Sequence, residues 1–440
     1  MGFNAVNQIK TGDKIYMETL YLFVGVIALV CVLGFFNERV TKLTYEIGLM
    51  LFASILGIVL LIGTAVFNNT DVGNVIKELQ EFDIHDFLMN GVLCFMLFAG
   101  SCHMKLKDFK EMARQITVLA FVCTLLGAVF YGLLIYGASY LLGAPLSLPI
   151  CLMFGSIIAP TDPIAATGIL SKFGLPRKTS FLIQGESLFN DGVGVALFVC
   201  FSSLVSASSS SSDVGIVGVM LREILGALAV AIVVTVLCFL MYRFSKHPQL
   251  KIFISLLTVS LAYCLCEVLH FSGAIASVIC GILFSELRSK YCESEEPAQA
   301  ELFDSFWETL DVFLNSVLYV ILGLSFVSIL RMEDVLLLSA IAIIANLIAR
   351  VGSLSISSLI IGKIPDGFSR SGFITLFTWG GLRGGLSVAL AMSTKDILPS
   401  DTYYVILGCT YAVVFFTTVI QGLTMNPVYK RISKNVIVAE

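Results

Sequence analysis

Residues 148–170 read LPICLMFGSIIAPTDPIAATGIL, an apolar run of bilayer-spanning length that two prolines and an aspartate interrupt near its middle. Pro160 and Pro163 cannot donate backbone hydrogen bonds, and each ring clashes with the carbonyl four residues earlier. At membrane depth, irregular backbone is tolerated only where it lines a cavity or is buried in protein. The run therefore predicts a broken helix whose free carbonyls and Asp162 carboxylate suit a hard cation. A kinked helix with a capping aspartate is the alternative.

The rest of the chain has the same apolar character. Of its 440 residues 57% are hydrophobic and only 13% are charged, whereas a soluble domain carries about 25% charged residues. We predict an all-α polytopic membrane protein, a single membrane domain over residues 1–440 with about thirteen transmembrane helices. The predicted spans are residues 16–36, 45–67, 86–104, 115–142, 148–170, 181–206, 216–242, 251–269, 272–288, 308–330, 334–362, 372–393 and 401–426, followed by a short tail, 427–440.

Composition also excludes several classes of protein. The net charge of −4 gives no reason to expect a nucleic-acid partner. Most of the 12 cysteines lie within apolar runs, where cysteine behaves as a small hydrophobe, and only four histidines are present. We therefore expect no resident metal or cofactor. No hydrophilic segment is long enough to form a soluble catalytic domain, so we do not expect an enzyme.

Basic residues predict the orientation in the membrane. When the connections between spans are assigned alternately to two sides, one side holds most of the lysines and arginines, and that side is cytoplasmic. This assignment places the N-terminus outside and the C-terminus inside, and the plasma (inner) membrane is the expected location. Arg350 and Arg383 are left over, because both lie within spans. Such charges need partners and mark a functional site by default.

A second polar cluster lies in the sixth span, at residues 185–192 (GESLFNDG). On a helix, Ser187 and Asp191 share one face, and Glu186 and Asn190 share the adjacent face. Two acids, an amide and a hydroxyl within a turn and a half are costly in lipid, so the cluster indicates a functional site. A helix end at the membrane interface is the alternative.

The twelfth span carries Arg383 among four glycines, in residues 380–385 (GGLRGG). It corresponds to the broken fifth span if the fold has two inverted repeats, residues 16–206 and 251–426, joined by a helix at 216–242. Paired interrupted helices in corresponding positions point to the central site of a membrane carrier. Arg383 would compensate the negative C-terminal ends of half-helices. Close packing of small residues explains the glycines but not the arginine.

Arg350 and Glu267 are the other charged residues within or near the predicted spans that need an interpretation. Arg350 lies in the middle of span eleven, and its expected partner is Glu186. Glu267 lies beside His270 at the predicted external end of span eight, and we interpret it as an interfacial residue.

Three motifs carry a resemblance to a known family: residues 159–163 (APTDP), 185–192 (GESLFNDG) and 379–389 (WGGLRGGLSVA). In this order, and on spans five, six and twelve, they resemble the monovalent cation:proton antiporters. That family includes the prokaryotic NhaP-type antiporters and the animal and plant sodium/proton exchangers. The resemblance covers essentially the whole membrane part of the chain.

The resemblance implies a thirteen-helix fold with inverted repeats, a homodimer, and Na⁺, Li⁺ or K⁺ together with H⁺ as transported partners. It implies a cation and proton site at Asp191 with Thr161, Asp162, Ser187 and Asn190 around it, and an ion pair between Glu186 and Arg350. The Asn190–Asp191 pair, in place of two aspartates, is similar to the electroneutral branch. Many archaeal members carry a glutamate on the third helix where this chain has Ala99, which cannot ligate an ion. His103, near the cytoplasmic end of that helix, is a candidate pH sensor, and an ordinary interfacial residue is the alternative.

The resulting hypothesis is exchange by competition. A cation and a proton compete for Asp191, and an elevator-like movement of spans 4–6 and 11–13 against a scaffold of spans 1–3 and 8–10 requires a loaded site. Other hypotheses remain open at this stage. They are a cation channel, an H⁺- or Na⁺-coupled symporter for an organic anion, and a sensor that does not transport.

Overall fold

A computed structural model describes residues 24–41, 43–67, 86–104, 106–171, 173–206, 216–292, 297–326 and 335–437. Every regular element in these ranges is helical. The chain divides into two compact units. One unit comprises Met1–Glu81 with Asn315–Val327, and the other comprises Phe82–Leu314 with Ser328–Glu440.

The first unit contains helices α1 (Val24–Thr41) and α2 (Tyr45–Phe67). The last turn of α1 is π-helical from Asn37 to Thr41. The buried Asn37 amide donates to the carbonyl of Leu43 at 3.2 Å and accepts a hydrogen bond from the Thr41 hydroxyl at 2.7 Å. These bonds satisfy the polar groups at a sharp turn between two apolar helices.

The second unit contains the remaining helices, of which α11 belongs to it as far as Leu314. They are α3 (π-helical Asp86–Val92, then Leu93–Ser101), α4 (Leu106–Leu141), α5 (Leu148–Ile158), α6 (Pro163–Ser171), α7 (Arg177–Ser206), α8 (Ile216–Phe244), α9 (Pro248–Leu269), α10 (Gly273–Tyr291), α11 (Pro297–Ser325), α12 (Val335–Ile361), α13 (Arg370–Trp379), α14 (Gly385–Met392) and α15 (Ser400–Phe415, π-helical Phe416–Gln421, then Gly422–Ile437).

Within the described residues, nine helices are long and apolar enough to cross a membrane. The chain is therefore a multi-pass membrane protein, as the composition predicted. Helix is present in each of the thirteen predicted spans, but the count of thirteen crossings, the inverted repeats and the assignment of spans to core and scaffold stay predictions. Helix α15 continues to Ile437, well into the predicted tail.

Several sequence predictions fall on residues outside the described ranges. They include residues 16–23 of the first predicted span, residues 327–330 of the tenth, and the connection over residues 68–85. The N-terminal residues used for the orientation also lie outside, so the placement of the two termini stays a prediction.

Aromatic side chains pack α3 together with helices α8 to α11. Phe98 lies 4.5 Å from the Trp307 ring, and Phe284 stacks on Phe303 at 5.8 Å between centroids. The Trp307 indole N–H donates to the Ser255 hydroxyl at 3.1 Å, so this buried ring keeps its hydrogen bond. The predicted third-helix position Ala99 belongs to this same buried cluster.

Glycines allow α4 and α5 to pack backbone against backbone. A Cβ on Gly132 would lie 2.8 Å from the carbonyl oxygen of Cys151, and one on Gly155 would overlap the carbonyl of Ala128. Small residues commonly permit such close helix approach in membrane proteins. The contact holds the end of α5, and hence the broken segment that follows it, against the middle of α4.

Candidate functional site

Two helices are interrupted inside the second unit, and the interruptions touch. Helix α5 ends at Ile158 and α6 begins at Pro163, so residues 159–162 are not helical. Helix α13 ends at Trp379 and α14 begins at Gly385. The backbone N–H of Asp162 donates to the carbonyl of Leu382 at 2.8 Å. The breaks expected from the prolines and from the glycines are therefore present, and they are in contact; their crossing stays a prediction.

The side chain of Arg383 supplies donors to the first break. Its Nη1 donates to the carbonyls of Ala159 and Pro160, the latter at 3.0 Å, and its Nη2 donates to the amide oxygen of Asn346 at 2.9 Å. The residue is 4% exposed. Because Ala159 is the C-cap of α5, the guanidinium lies at the negative end of that half-helix.

Helix α15 holds the backbone of Arg383. The Arg383 N–H donates to the Thr417 hydroxyl at 3.0 Å, and the Thr418 hydroxyl donates to the Arg383 carbonyl at 3.1 Å. Both threonines are buried in the π-helical turn of α15. Their hydroxyls replace the intrahelical partners that the break removes, which satisfies buried backbone groups.

A second network joins the first break to α7. The Thr161 N–H donates to the Asn190 side-chain oxygen at 3.2 Å, and the Asn190 amide donates to the Thr161 hydroxyl at 2.7 Å. The Thr161 and Ser187 hydroxyls are 2.8 Å apart. All three side chains are buried. Three of the predicted site residues therefore form one hydrogen-bonded cluster.

Asp191 and Asp162 lie beside this cluster. Both are half-buried, and the two carboxylates interact electrostatically. Across the described ranges, no basic side chain forms an ion pair with Asp191. Two like charges that share a low-dielectric region repel each other. Such a pair attracts a cation or a proton.

Glu186 and Arg350 form a separate, deeply buried ion pair. Arg350 Nη2 lies 2.6 Å from Glu186 Oε1, and the side chains are 5% and 2% exposed. The guanidinium also donates to the Phe377 carbonyl at 3.4 Å and to the Cys123 sulfur at 3.8 Å. The pair therefore ties α7 and α12 to α4 and α13.

The structure assigns partners that sequence reasoning missed. Asn346, Thr417 and Thr418 bind Arg383, and Cys123 binds Arg350. Polarity was the sequence feature that could have identified three of them. Asn346 and the two threonines are polar residues within apolar spans, and such residues usually hydrogen-bond to neighbouring helices. Cys123 gave no signal, because cysteine is common in apolar helices.

Other flagged residues lie in separate places. The His103 Nδ1 lies 3.0 Å from the Ala99 carbonyl, and its Nε2 lies 4.0 Å from Asp304. Glu267 is exposed near the end of α9, and His270 follows in the left-handed conformation as the C-cap. None of these residues has a described contact with the Thr161 cluster.

Comparisons with known proteins agree on one family. A family model described as the transmembrane sodium/hydrogen exchanger matches residues 47–431. The Na⁺/H⁺ antiporter NhaP of Pseudomonas aeruginosa is 31% identical over 422 residues, which cover 94% of this chain and 97% of that protein. The Na⁺/H⁺ antiporter NhaG of Bacillus atrophaeus is 29% identical, over 82% of this chain and 67% of that protein.

A solved structure shares the fold. The sodium proton antiporter MjNhaP1 from Methanocaldococcus jannaschii superposes with a TM-score of 0.73, covering 95% of this chain and 99% of that chain at 18% identity. The relatives named here are transporters rather than enzymes. With a family match over most of its length and two interrupted helices in contact at their breaks, the chain belongs to the sodium/hydrogen exchanger family of monovalent cation:proton antiporters, in its NhaP-type branch.

Proposed function

We propose that the protein exchanges one Na⁺ for one H⁺ across the membrane and that both ions use the Asp191 carboxylate. The observation that carries this proposal is the position of Asp191. It lies half-buried beside Asp162 and next to the Thr161–Ser187–Asn190 cluster, where the two helix breaks are in contact. The site offers carboxylate, hydroxyl and amide oxygens, the ligands that hard cations prefer.

Competition for one carboxylate couples the two fluxes. An ionised Asp191 binds a cation, and a protonated Asp191 does not. Either form of the loaded site has a smaller net charge than the empty, ionised site. Moving a bare carboxylate through apolar surroundings is costly, so the empty site does not cross. Each passage therefore carries either Na⁺ or H⁺.

Electroneutral exchange follows from having one titrating carboxylate at this place on α7. The neighbouring residue is Asn190, whose amide is neutral and is already bonded to the Thr161 backbone and hydroxyl. One Na⁺ then replaces one H⁺, and no net charge moves in a full cycle. Ala99 lies in the aromatic cluster of α3 and supplies no ligand, so the cation is held without a third-helix carboxylate.

The moving part is the group of helices that contains both breaks, from α4 to α7 and from α12 to α15. The side-chain contacts of Arg383 and Arg350 join helices of this group. The group therefore moves as a unit. Helices α1 to α3 and α9 to α11 form the scaffold and the contact between two copies of the chain, and α8 links the two repeats. The protein lies in the inner membrane with its N-terminus outside and its C-terminus in the cytoplasm.

The test uses purified protein in sealed vesicles with an acidic interior and a pH-sensitive dye inside. Na⁺, Li⁺ or K⁺ is added outside, with and without a clamp on the membrane potential. Alkalinisation that the clamp does not change supports electroneutral exchange. A clamp-dependent current contradicts one-for-one exchange and indicates a channel or an electrogenic carrier. No response to any of the three cations from folded protein contradicts the proposal as a whole.

We expect Asp162→Asn to reduce Na⁺-driven alkalinisation nearly to the level of protein-free vesicles. The substitution removes one of the two carboxylates that face the cation while keeping the backbone bond from Asp162 to Leu382. The measurement is the initial rate of the dye response at saturating Na⁺. Asp396→Asn, which changes an exposed carboxylate outside the site, is the control. Transport at the wild-type rate by the Asp162 variant contradicts this role.

Gly384→Ala tests the position of the same carboxylate without removing it. A Cβ at residue 384 would lie 3.0 Å from Asp162 Oδ2 and 3.1 Å from Asp162 Cβ, so the aspartate must shift by a few tenths of an ångström. We expect a transport rate about 10-fold lower, because small displacements of a reacting group have large effects on rate. Gly168→Ala in α6 is the matched control, since nothing lies within 4 Å of its added methyl. Equal rates for the two variants contradict the prediction.

A further inference from the structure

A second site lies within the same group of helices but away from the ion site. A cavity of about 230 Å³ is enclosed by the C-terminal end of α4, α5, the N-terminal part of α12 and the first turns of α15. Its wall includes Ile135, Ala138, Phe154, Ala342 and Cys409. It shares none of the residues assigned to the cation or to the buried ion pairs.

Size and chemistry restrict what this cavity can hold. Its lining is almost wholly apolar, and ligand pockets that enclose a drug-sized molecule measure about 300–1,000 Å³. The cavity is therefore too small and too apolar for a polar solute or a nucleotide. It is suited to a segment of hydrocarbon chain. An unfilled apolar cavity loses dispersion contacts on its inner wall, and a chain segment would restore them.

The mouth of the cavity differs from its wall. Asp401, in the first turn of α15, lies at the rim with its side chain exposed. Among the residues that the structure describes, none pairs with its carboxylate. Leu141, 90% exposed, and Leu142, 44% exposed, lie at the end of α4 near this mouth. In a multi-pass membrane protein, exposed leucines at a helix end contact lipid, so the mouth opens at the level where headgroups meet acyl chains.

We propose that this cavity binds one phospholipid, with a segment of its acyl chain inside and its ammonium headgroup at Asp401. The apolar wall accounts for the chain, and the exposed Asp401 carboxylate at the rim accounts for a positive headgroup. An anionic lipid is disfavoured, because its headgroup has no ammonium to pair with Asp401 and no lysine or arginine lines the cavity to hold its net negative charge. The bound lipid joins α4, α5, α12 and α15, so it stabilises the packing that holds the end of α5. The proposal does not depend on which ions the protein exchanges.

The experiment uses the full chain in vesicles that contain a trace of phosphatidylethanolamine with a photoactivatable group halfway along one acyl chain. After irradiation, labelled peptides are mapped by mass spectrometry. The expected label lies on the residues of the cavity wall from the four helices. Asp401→Asn is expected to lower this labelling by up to about fivefold, which corresponds to an exposed ion pair of about 1 kcal/mol.

Matched variants separate the cavity from general lipid contact. Ala138→Leu fills the cavity from α4 and is expected to remove the labelling of its wall, whereas Ala229→Leu on the exposed face of α8 leaves it unchanged. Asp396→Asn, an exposed aspartate just before α15, is the control for charge. If Ala138→Leu does not fold, Thr402→Leu fills the mouth from α15. Unchanged wall labelling in the filled variant, or equal labelling by a phosphatidylglycerol probe, overturns the proposal.

Discussion

Asp191→Asn is expected to abolish Na⁺-driven proton movement, down to the level of protein-free vesicles, while the protein remains folded. Asparagine has nearly the same shape as aspartate but can neither release a proton nor carry the charge that holds a cation. Because Asp191 is the proposed site of both ions, the substitution removes both half-reactions at once. This is the largest functional effect that we expect from any single substitution in the chain.

The measurement is the initial rate of alkalinisation in vesicles, with the thermal unfolding of the purified variant recorded alongside. Asp191 has no ion-pair partner in the described part of the chain, so its replacement should not strand a buried charge. The unfolding midpoint should therefore be equal to or higher than that of the wild type. Asp396→Asn makes the same chemical change at an exposed position and should transport normally. Transport by the Asp191 variant at the wild-type rate would refute the competition mechanism.

Glu186→Gln is expected to lower the free energy of unfolding by about 3–5 kcal/mol, the cost of leaving a buried charge without its partner. Arg350 remains 5% exposed, and its bonds to the Phe377 carbonyl and the Cys123 sulfur do not neutralise it. The substitution should therefore act on stability more than on the choice of cation. The buried pair connects the helices around the site, which explains why its loss affects the whole assembly.

Thermal unfolding in detergent, compared with the cation preference in vesicles, measures this difference. Glu111→Gln is the matched control, because Glu111 pairs with Lys178 at 2.6 Å with both side chains more than half exposed. Solvent screens an exposed pair, so it contributes little to stability and the control should unfold close to the wild type. The double variant Glu186→Gln with Arg350→Met removes both charges and should recover part of the lost stability. If Glu186→Gln and Glu111→Gln lost the same stability, the buried pair would not have the structural role assigned to it.

Much of the architecture follows from local features of the chain. Apolar runs of about 20 residues predict membrane helices because lipid offers no partners for backbone groups. Pro160 and Pro163 predict the first break, because proline has no backbone N–H and its ring clashes with the carbonyl four residues earlier. The glycines around Arg383 predict the second break, because an arginine within a membrane span needs unusual surroundings. The same logic selected Glu186, Arg350 and Asp191, since a charge within an apolar span is costly unless it has a partner or a role.

The sequence predictions are weaker where the pattern is not local. The count of thirteen crossings depends on helices that are short or interrupted, such as α5 and α6, whose lengths are below that of a spanning helix. Helix α15 is longer than the membrane span predicted at 401–426 and includes most of the predicted tail 427–440. Its last turns carry basic residues that favour a tail by composition, but they continue as helix to Ile437.

Charges, prolines and clustered glycines were sufficient to identify which segments are broken and which residues are costly in a membrane, because these properties belong to single residues and their neighbours. The partners of those residues come from elsewhere in the chain. Arg383 reaches Ala159 and Asn346, and Thr161 reaches Asn190, across loops and intervening helices. The apolar cavity is likewise lined by residues from four helices that are distant in the sequence. Such contacts depend on how helices pack in three dimensions, and no local pattern specifies that packing.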